Sequence, residues 1–172
     1  MIDIGDQVIA EYAIRQLQAR YTDSVWRQDF ETFGDCFTAD CEWKIGGVTL
    51  NGRSHIVDYM RELFATKFRR LFITLRTPLL DVQKGKASGR TYMSAQNIMA
   101  DGRAFTPFGV YYERFVDEGD KWRFSWRLFQ TLYAGPADLS GSFFDQEQFG
   151  PSPGMPPPDV ATINVTGLHD KR

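Results

Sequence analysis

Three tight turns set in a run of alternating residues constrain this chain more than any other feature. From Leu71 to Tyr133 apolar and polar side chains alternate with a period near two. The run is cut at Gln83-Lys84-Gly85-Lys86, at Asp101-Gly102 and at Glu118-Gly119-Asp120. A period of two marks strands with one buried face. Asp-Gly in that setting signals a hairpin, because the favoured two-residue turn needs positive φ at its centre. Residues 71–82, 87–99, 104–116 and 122–133 are therefore predicted strands, joined in sequence as an antiparallel meander.

The first third of the chain has a different period. Ala10, Ile14, Leu17, Tyr21 and Val25 recur at helical spacing across 7–26, so one face of that helix is buried. Asp29 reads as the N-cap of a short helix reaching Phe37, with Glu31 and Thr32 in its first turn. Ser54 reads as the cap of a third helix with an apolar face of Ile56, Tyr59, Met60, Leu63 and Phe64. Short strands are expected at 41–45 and 48–50, bounded by Gly46-Gly47 and Asn51-Gly52. Helices first and strands after imply an α+β fold: a curved, mostly antiparallel sheet wrapped with three N-terminal helices around a pocket. After Ala134-Gly135-Pro136 the pattern dissolves, and the segment from Gly150 to Pro158 is too rich in proline for helix or central strand. The organisation expected is a domain over 1–136 and a Pro-rich extension over 137–172. Phe143, Phe144 and Phe149 suggest that the extension begins pinned to something apolar.

At 172 residues the chain is long enough to bury a core without disulfides or metals. Its 15% aromatic content, with 14 Phe, supplies the flat apolar area that suits a ligand cavity as well as a core. A net charge of −2, with both signs interspersed, leaves no basic stripe and argues against nucleic acid as the partner. Cys36 and Cys41 lack metal-site spacing and read as buried reduced thiols. The N-terminus has no basic segment followed by an apolar block, and no apolar run reaches the ~18 residues needed to span a membrane. A cytoplasmic protein is expected. The two histidines, His55 and His169, lie outside the strands, and no constellation of His, Cys or acidic residues has ligand spacing, so no metal site is expected. Activity should survive dialysis against a chelator; loss restored by a divalent metal would overturn that reading.

Several motifs together carry a family resemblance. They are Tyr21 to Phe30 at the end of the first helix, Phe37-Thr38-Ala39-Asp40-Cys41-Glu42-Trp43, Asn51-Gly52-Arg53, and Tyr111-Tyr112-Glu113-Arg114-Phe115 leading to Lys121-Trp122-Arg123-Phe124. In order and spacing they resemble the SnoaL-like branch of the nuclear-transport-factor-2-like superfamily, over about residues 7–134. The resemblance implies a cone-shaped α+β barrel with an apolar pocket at its open end, usually a dimer or trimer. It also implies the activities found in the family, among them dehydratases, isomerases, polyketide cyclases, epoxide hydrolases and dehydrohalogenases, besides non-catalytic binders. Dehydratase-like members carry an Asp three residues before the Asp-aromatic pair and histidines on the sheet. Here the resemblance puts Trp26 at the first position and Leu71 and Asn97 at the others. A neutral amide is no base near pH 7. The Arg-x-Asp signature of the epoxide hydrolases is also missing, with Gln96-Asn97 in its place.

The candidate site follows from alternation and the resemblance. Asn97 facing inward brings Met93 and Ala95 with it. By resemblance the third long strand turns Thr106, Phe108, Val110 and Tyr112 inward, and the fourth turns Ser125, Arg127 and Phe129. Tyr21 and Val25 share the inward face of the first helix, with Trp26 beside them. Tyr21, Tyr112, Asn97 and Arg127 are the candidate catalytic groups; Val25, Trp26, Leu71, Met93, Thr106, Phe108 and Phe129 are the candidate substrate contacts. Arg127, in an apolar strand, needs a partner: a ligand anion or, as a brace, Asp23 or Glu113. If Arg127 lowers a phenol pKa, Tyr21 and Tyr112 form an acid–base pair. Arg76, Asp23 and His55 are secondary candidates, each with a surface role as its alternative. The function expected is a cofactor-independent lyase, dehydratase or isomerase acting on a small aromatic or polycyclic molecule. The alternatives are a non-catalytic binding or assembly module, or an accessory subunit of an aromatic-ring oxygenase. An outer sheet face bearing Tyr92, Ser94, Gln96 and Tyr111 is expected to pair copies into a homodimer or homotrimer.

Overall fold

The computed structural model of the protein describes residues 2–144. Helix α1 spans Ile4–Arg27, with the Asp3 carboxylate accepting from the Gly5 amide at its start, and ends at Gln28 in the left-handed region. Helix α2 spans Phe30–Asp35 and is capped by Asp29, which accepts from Thr32 N at 3.0 Å. Helix α3 spans Arg53–Thr66. Its cap is Gly52 rather than the predicted Ser54: the chain enters at φ 84°, which favours glycine, and makes no side-chain cap bond. Ser54 falls in the first turn instead.

The strands are β1 Phe37–Ile45, β2 Val48–Asn51, β3 Phe68–Leu75, β4 Leu79–Gln83, β5 Lys86–Met99, β6 Ala104–Asp117, β7 Trp122–Gly135 and β8 Ser142–Phe143. They form one eight-stranded sheet in the order β2-β1-β7-β6-β5-β3, with β4 also on β5 and β8 on β7. The β5-β6-β7 meander is as predicted, and β1 joins β7 in parallel, with Trp43 opposite Arg127. The predicted strand 71–82 is two strands. Pro78 has no amide hydrogen and restricts Thr77, so the ladder breaks between them. Both halves still pair with β5, Leu75 opposite Met93 and Leu79 opposite Arg90.

Two irregularities bend β7. Phe115 and Arg114 pair with Phe124 and Trp126, leaving Ser125 as an extra residue; Gly109 and Phe108 pair with Thr131 and Tyr133, leaving Leu132 extra. Each bulge sharpens the curvature of its strand and shifts the in–out alternation by one. Ser125 therefore does not face inward as predicted, and Phe124 and Arg127 are both fully buried.

On the concave face, α1 buries Ile14, Leu17, Tyr21 and Val25 against Phe33, Phe37, Trp43, Phe115 and Phe124. On the other face Val110, Tyr112, Trp126 and Leu128 form a smaller apolar cluster. Cys36 and Cys41 are free and buried, and burial pushes their thiols up to about 11 and about 12, so both stay protonated near neutral pH. The start of the extension is held on the sheet: Phe143 pairs with Tyr133, their rings 4.7 Å apart, and Phe144 N donates to Leu132 O at 3.0 Å. Phe149, the proline run and His169 lie outside the described residues. No helix among the described residues is long and apolar enough to cross a membrane.

Candidate functional site

The curved sheet and the helices enclose a cavity of about 720 Å³. Its walls are mostly apolar: Trp43 and Ile45 from β1, Met60 and Leu63 from α3, Leu71 and Ile73 from β3, Met93 and Ala95 from β5, Phe105 and Pro107 from β6, and Phe129 from β7. Tyr21, Tyr59, Tyr111, Asn97 and Thr131 also line it.

Asn97 and Leu71 are direct cross-strand partners, and both line the cavity. Asn97 is 5% exposed, and its Oδ1 has no hydrogen-bond partner among the described residues. An unpartnered buried acceptor is costly, so such atoms in native structures await a ligand or water. Neither side chain titrates as a general base.

Tyr21 and Tyr111 face each other, hydroxyl to hydroxyl, at 3.4 Å. Their rings, with those of Trp43 and Phe124, enclose the Arg127 guanidinium at 4.4, 3.9, 5.2 and 4.2 Å respectively. Arg127 is fully buried and does not line the cavity, whereas three of the residues whose rings surround it, Tyr21, Trp43 and Tyr111, do. Its Nε donates to Glu113 Oε1 at 3.0 Å and Nη2 lies 2.8 Å from the same oxygen. Glu113 Oε2 accepts from Gln18 at 2.9 Å and from Thr91 at 2.7 Å. The brace is therefore Arg127–Glu113, while Asp23 pairs with Arg27 in solvent. Burial raises the Glu113 pKa against the pull of Arg127, Thr91 and Gln18. Burial also works against the Arg127 charge, but Tyr21, Glu113 and Tyr111 outweigh it and hold its pKa above the ordinary value. Burial, with Tyr21 beside it, pushes Tyr111 well above the usual phenol range despite Arg127. Desolvation outweighs the nearby cation, and Tyr111 is a neutral donor. The acid–base pair expected of Tyr21 and Tyr112 does not form, because Tyr112 lies in the outer cluster.

The structure brings together Tyr21, Asn97, Leu71, Met93 and Phe129 around the cavity. It does not bring Tyr112, Thr106 or Phe108 there. Strand β6 has the opposite parity to that expected, turning Phe105, Pro107 and Tyr111 to the cavity and Tyr112 to the outer cluster. Phe108 packs on Tyr133 instead, ring centroids 5.3 Å apart. Tyr111, expected on the outer face, is thereby buried. The signal for it was present: if Glu113 turns inward to meet Arg127, then Tyr111, two residues before it, turns inward too. Alternation alone was blind, because Val110 and Tyr112 are buried on the other face. Val25 packs in the core and does not line the cavity. Trp26, one step further round α1, is 48% exposed and meets Phe72 edge-on at 5.3 Å. Arg76 is exposed in the break after β3, and His55 accepts from Asn51 N at the start of α3. Among the described residues no cluster of His, Cys, Asp and Glu could hold a metal ion.

Solved structures share this fold at low sequence identity. A candidate scytalone dehydratase from Novosphingobium aromaticivorans DSM 12444 superposes with a TM-score of 0.70 at 19% identity, covering 80% of this chain and 93% of its own. Hexachlorocyclohexane dehydrochlorinase LinA-type3 from Novosphingobium barchaimii LL02 gives 0.72 at 18% identity, covering 83% and 99%. A candidate aromatic ring hydroxylase from N. aromaticivorans gives 0.69 at 24%, covering 78% and 94%. No curated protein matches in sequence. The model of the SnoaL-like domain matches residues 6–127, well over half of the chain. With that match, the cone of helices and curved sheet and the cavity at its centre, the chain belongs to the SnoaL-like family of the nuclear-transport-factor-2-like superfamily.

Proposed function

We propose that this protein is a cofactor-independent enzyme of lyase, dehydratase or isomerase type, acting on a small aromatic or polycyclic molecule. The observation that carries the reading is an apolar cavity with a tyrosine pair in its walls and an Asn97 amide oxygen that has no partner among the described residues. Apolar walls with a few convergent polar groups are the usual form of a small-molecule site. Two phenols 3.4 Å apart share one hydrogen bond, so the second hydroxyl proton is available to a ligand oxygen. With Tyr111 neutral, the pair stabilises negative charge as it develops, while the proton lost from the substrate passes to water. Asn97 Oδ1 then receives a donor on the ligand, such as a hydroxyl. A substrate carrying a phenol supplies its own electron sink, which fits a site with Leu71 and Asn97 where relatives are expected to hold a base. The names of the neighbours, a candidate dehydratase and a dehydrochlorinase, support an elimination.

Two variants test this against hydroxynaphthalenes and hydroxyquinones. Tyr111→Phe should lower turnover by about 10²–10³, the loss on removing one oxyanion donor. Asn97→Leu should keep or raise the melting temperature, since it removes an unpartnered buried acceptor, and weaken binding by about tenfold. Unchanged turnover and binding in both variants would defeat the reading. The absence of a general base in the cavity wall, among the described residues, favours a second reading: a binding module, which would show tight binding without turnover.

The buried free thiols fit a reducing compartment such as the cytoplasm. On the outer sheet face Tyr92 and Ile98 are exposed, and this surface is where copies would pair. Light scattering at micromolar concentration should give a dimer or trimer; a clean monomer refutes that expectation.

A further inference from the structure

We infer that the ligand of this cavity carries an anionic group, which stays at the mouth beside Lys67 while the ring system goes in. This rests on the reading of the cavity as a site for an aromatic molecule and adds the charge and orientation of that molecule. Lys67 is the one charged residue in the cavity wall among the described residues. It caps α3 at the turn into β3, and its backbone is fixed on both sides: its amide donates to Leu63 O at 2.8 Å and its carbonyl accepts from Ala100 N at 2.8 Å. Its side chain is exposed and makes no ion pair among the described residues. Arg69 and Arg70 follow it, also exposed and also outside those ion pairs. No Asp or Glu lines the cavity among the described residues. Glu62 reaches the wall only through its charge, which helps burial to raise the Tyr59 phenol.

A lysine at a helix C-terminus also complements the helix dipole, and that accounts for a cation here. It does not account for a cation set in the wall of an apolar cavity and followed by two more. The depth of the cavity, among the described residues, holds no unmatched cation for a permanently ionised group: the Arg127 charge is already matched by Glu113 and shielded by four rings, and burying an unpaired full charge is prohibitive. Anion and ring are thus assigned to opposite ends. The ligand class is an amphipathic aryl acid, a carboxylate or sulfonate on a fused or linked ring system.

Two fluorescent probes with nearly the same rings separate charge from shape. One is 8-anilinonaphthalene-1-sulfonate, the other its uncharged counterpart N-phenyl-1-naphthylamine. The full chain should bind both, each displacing the other, with the sulfonate bound more tightly. Lys67→Gln should weaken the sulfonate by about fivefold and Lys67→Glu by more, while the neutral probe changes by less than about twofold. Raising the salt from about 0.05 to about 0.5 M should weaken only the sulfonate, because exposed charges are screened. Equal affinities that neither substitution nor salt separates would overturn the anionic assignment and leave the aromatic cavity standing. Failure of the neutral probe to bind, or of the probes to compete, would instead overturn the cavity reading on which it rests. Lys67 is exposed, so neither substitution puts folding at risk.

Discussion

Replacing Glu113 by Leu should lower the stability of this protein by about 3–5 kcal/mol, the cost of stranding a buried charge. In a domain of this size that is a fall of roughly 10–20 °C in melting temperature. Glu113 and Arg127 are both 0% exposed and pair at 2.8 Å. Without the carboxylate, the Arg127 cation keeps its four rings but no counter-charge, and the Thr91 hydroxyl loses its acceptor. Arg127→Leu should cost a similar amount, for the mirror reason. The double Leu variant should recover most of the loss, because a well-packed apolar pair often replaces a buried ion pair at little cost. Melts of the four proteins close a double-mutant cycle, and a coupling near zero would refute the brace. The same cycle decides the role of Arg127. It packs against Tyr21 and Tyr111 and does not line the cavity, so in the double variant ligand binding should change only as far as the two phenols shift. A thousandfold loss there would make Arg127 a direct stabiliser of charge on the ligand.

Gly109→Ala should destabilise the protein by about 1–3 kcal/mol or more. Gly109 sits on β6 beside a β7 bulge, with φ in the ordinary range, so the reason for glycine is space rather than conformation. A Cβ there would lie 2.3 Å from Phe129 Cε2 and 2.6 Å from the carbonyl oxygen of Gln130. The ring can swing but the carbonyl cannot without breaking the ladder. Phe129 lines the cavity and packs on Tyr111 at 4.9 Å. The variant should therefore lose ligand affinity along with stability. A melting temperature within about 1 °C of the parent would show that the sheet yields there. Gly119→Ala is a contrast without a clash: its Cβ would meet nothing within 4 Å, and its cost is the positive φ of 91° alone.

Much of the fold was legible because period and punctuation are local. The α1 stripe of Ile14, Leu17, Tyr21 and Val25, the Asp29 cap and the turns at Gly85, Gly102 and Gly119 were all readable from neighbours a few residues apart. So was the inward set of β5, where Met93, Ala95 and Asn97 alternate with polar Ser94 and Gln96. The break at Pro78 was readable too, and reading 71–82 as one strand missed it. The resemblance singled out Leu71 and Asn97, but that they face each other across β3 and β5 is a register that only the folded sheet supplies.

What the sequence by itself determined, then, is an α+β fold of N-terminal helices on a curved sheet and, through the resemblance, a cone with an apolar cavity. Only the tertiary structure decided which side chains meet inside it. Strand β6 is apolar on both faces, so alternation gave Tyr112 and Tyr111 equal claims, and two bulges in β7 shifted the count again. The choice fell to Tyr111 because Glu113, two residues on, is tied to Arg127, Thr91 and Gln18 across three other elements. A buried carboxylate must find all its donors at once. That requirement is long-range, and it fixes the parity of the strand that carries it.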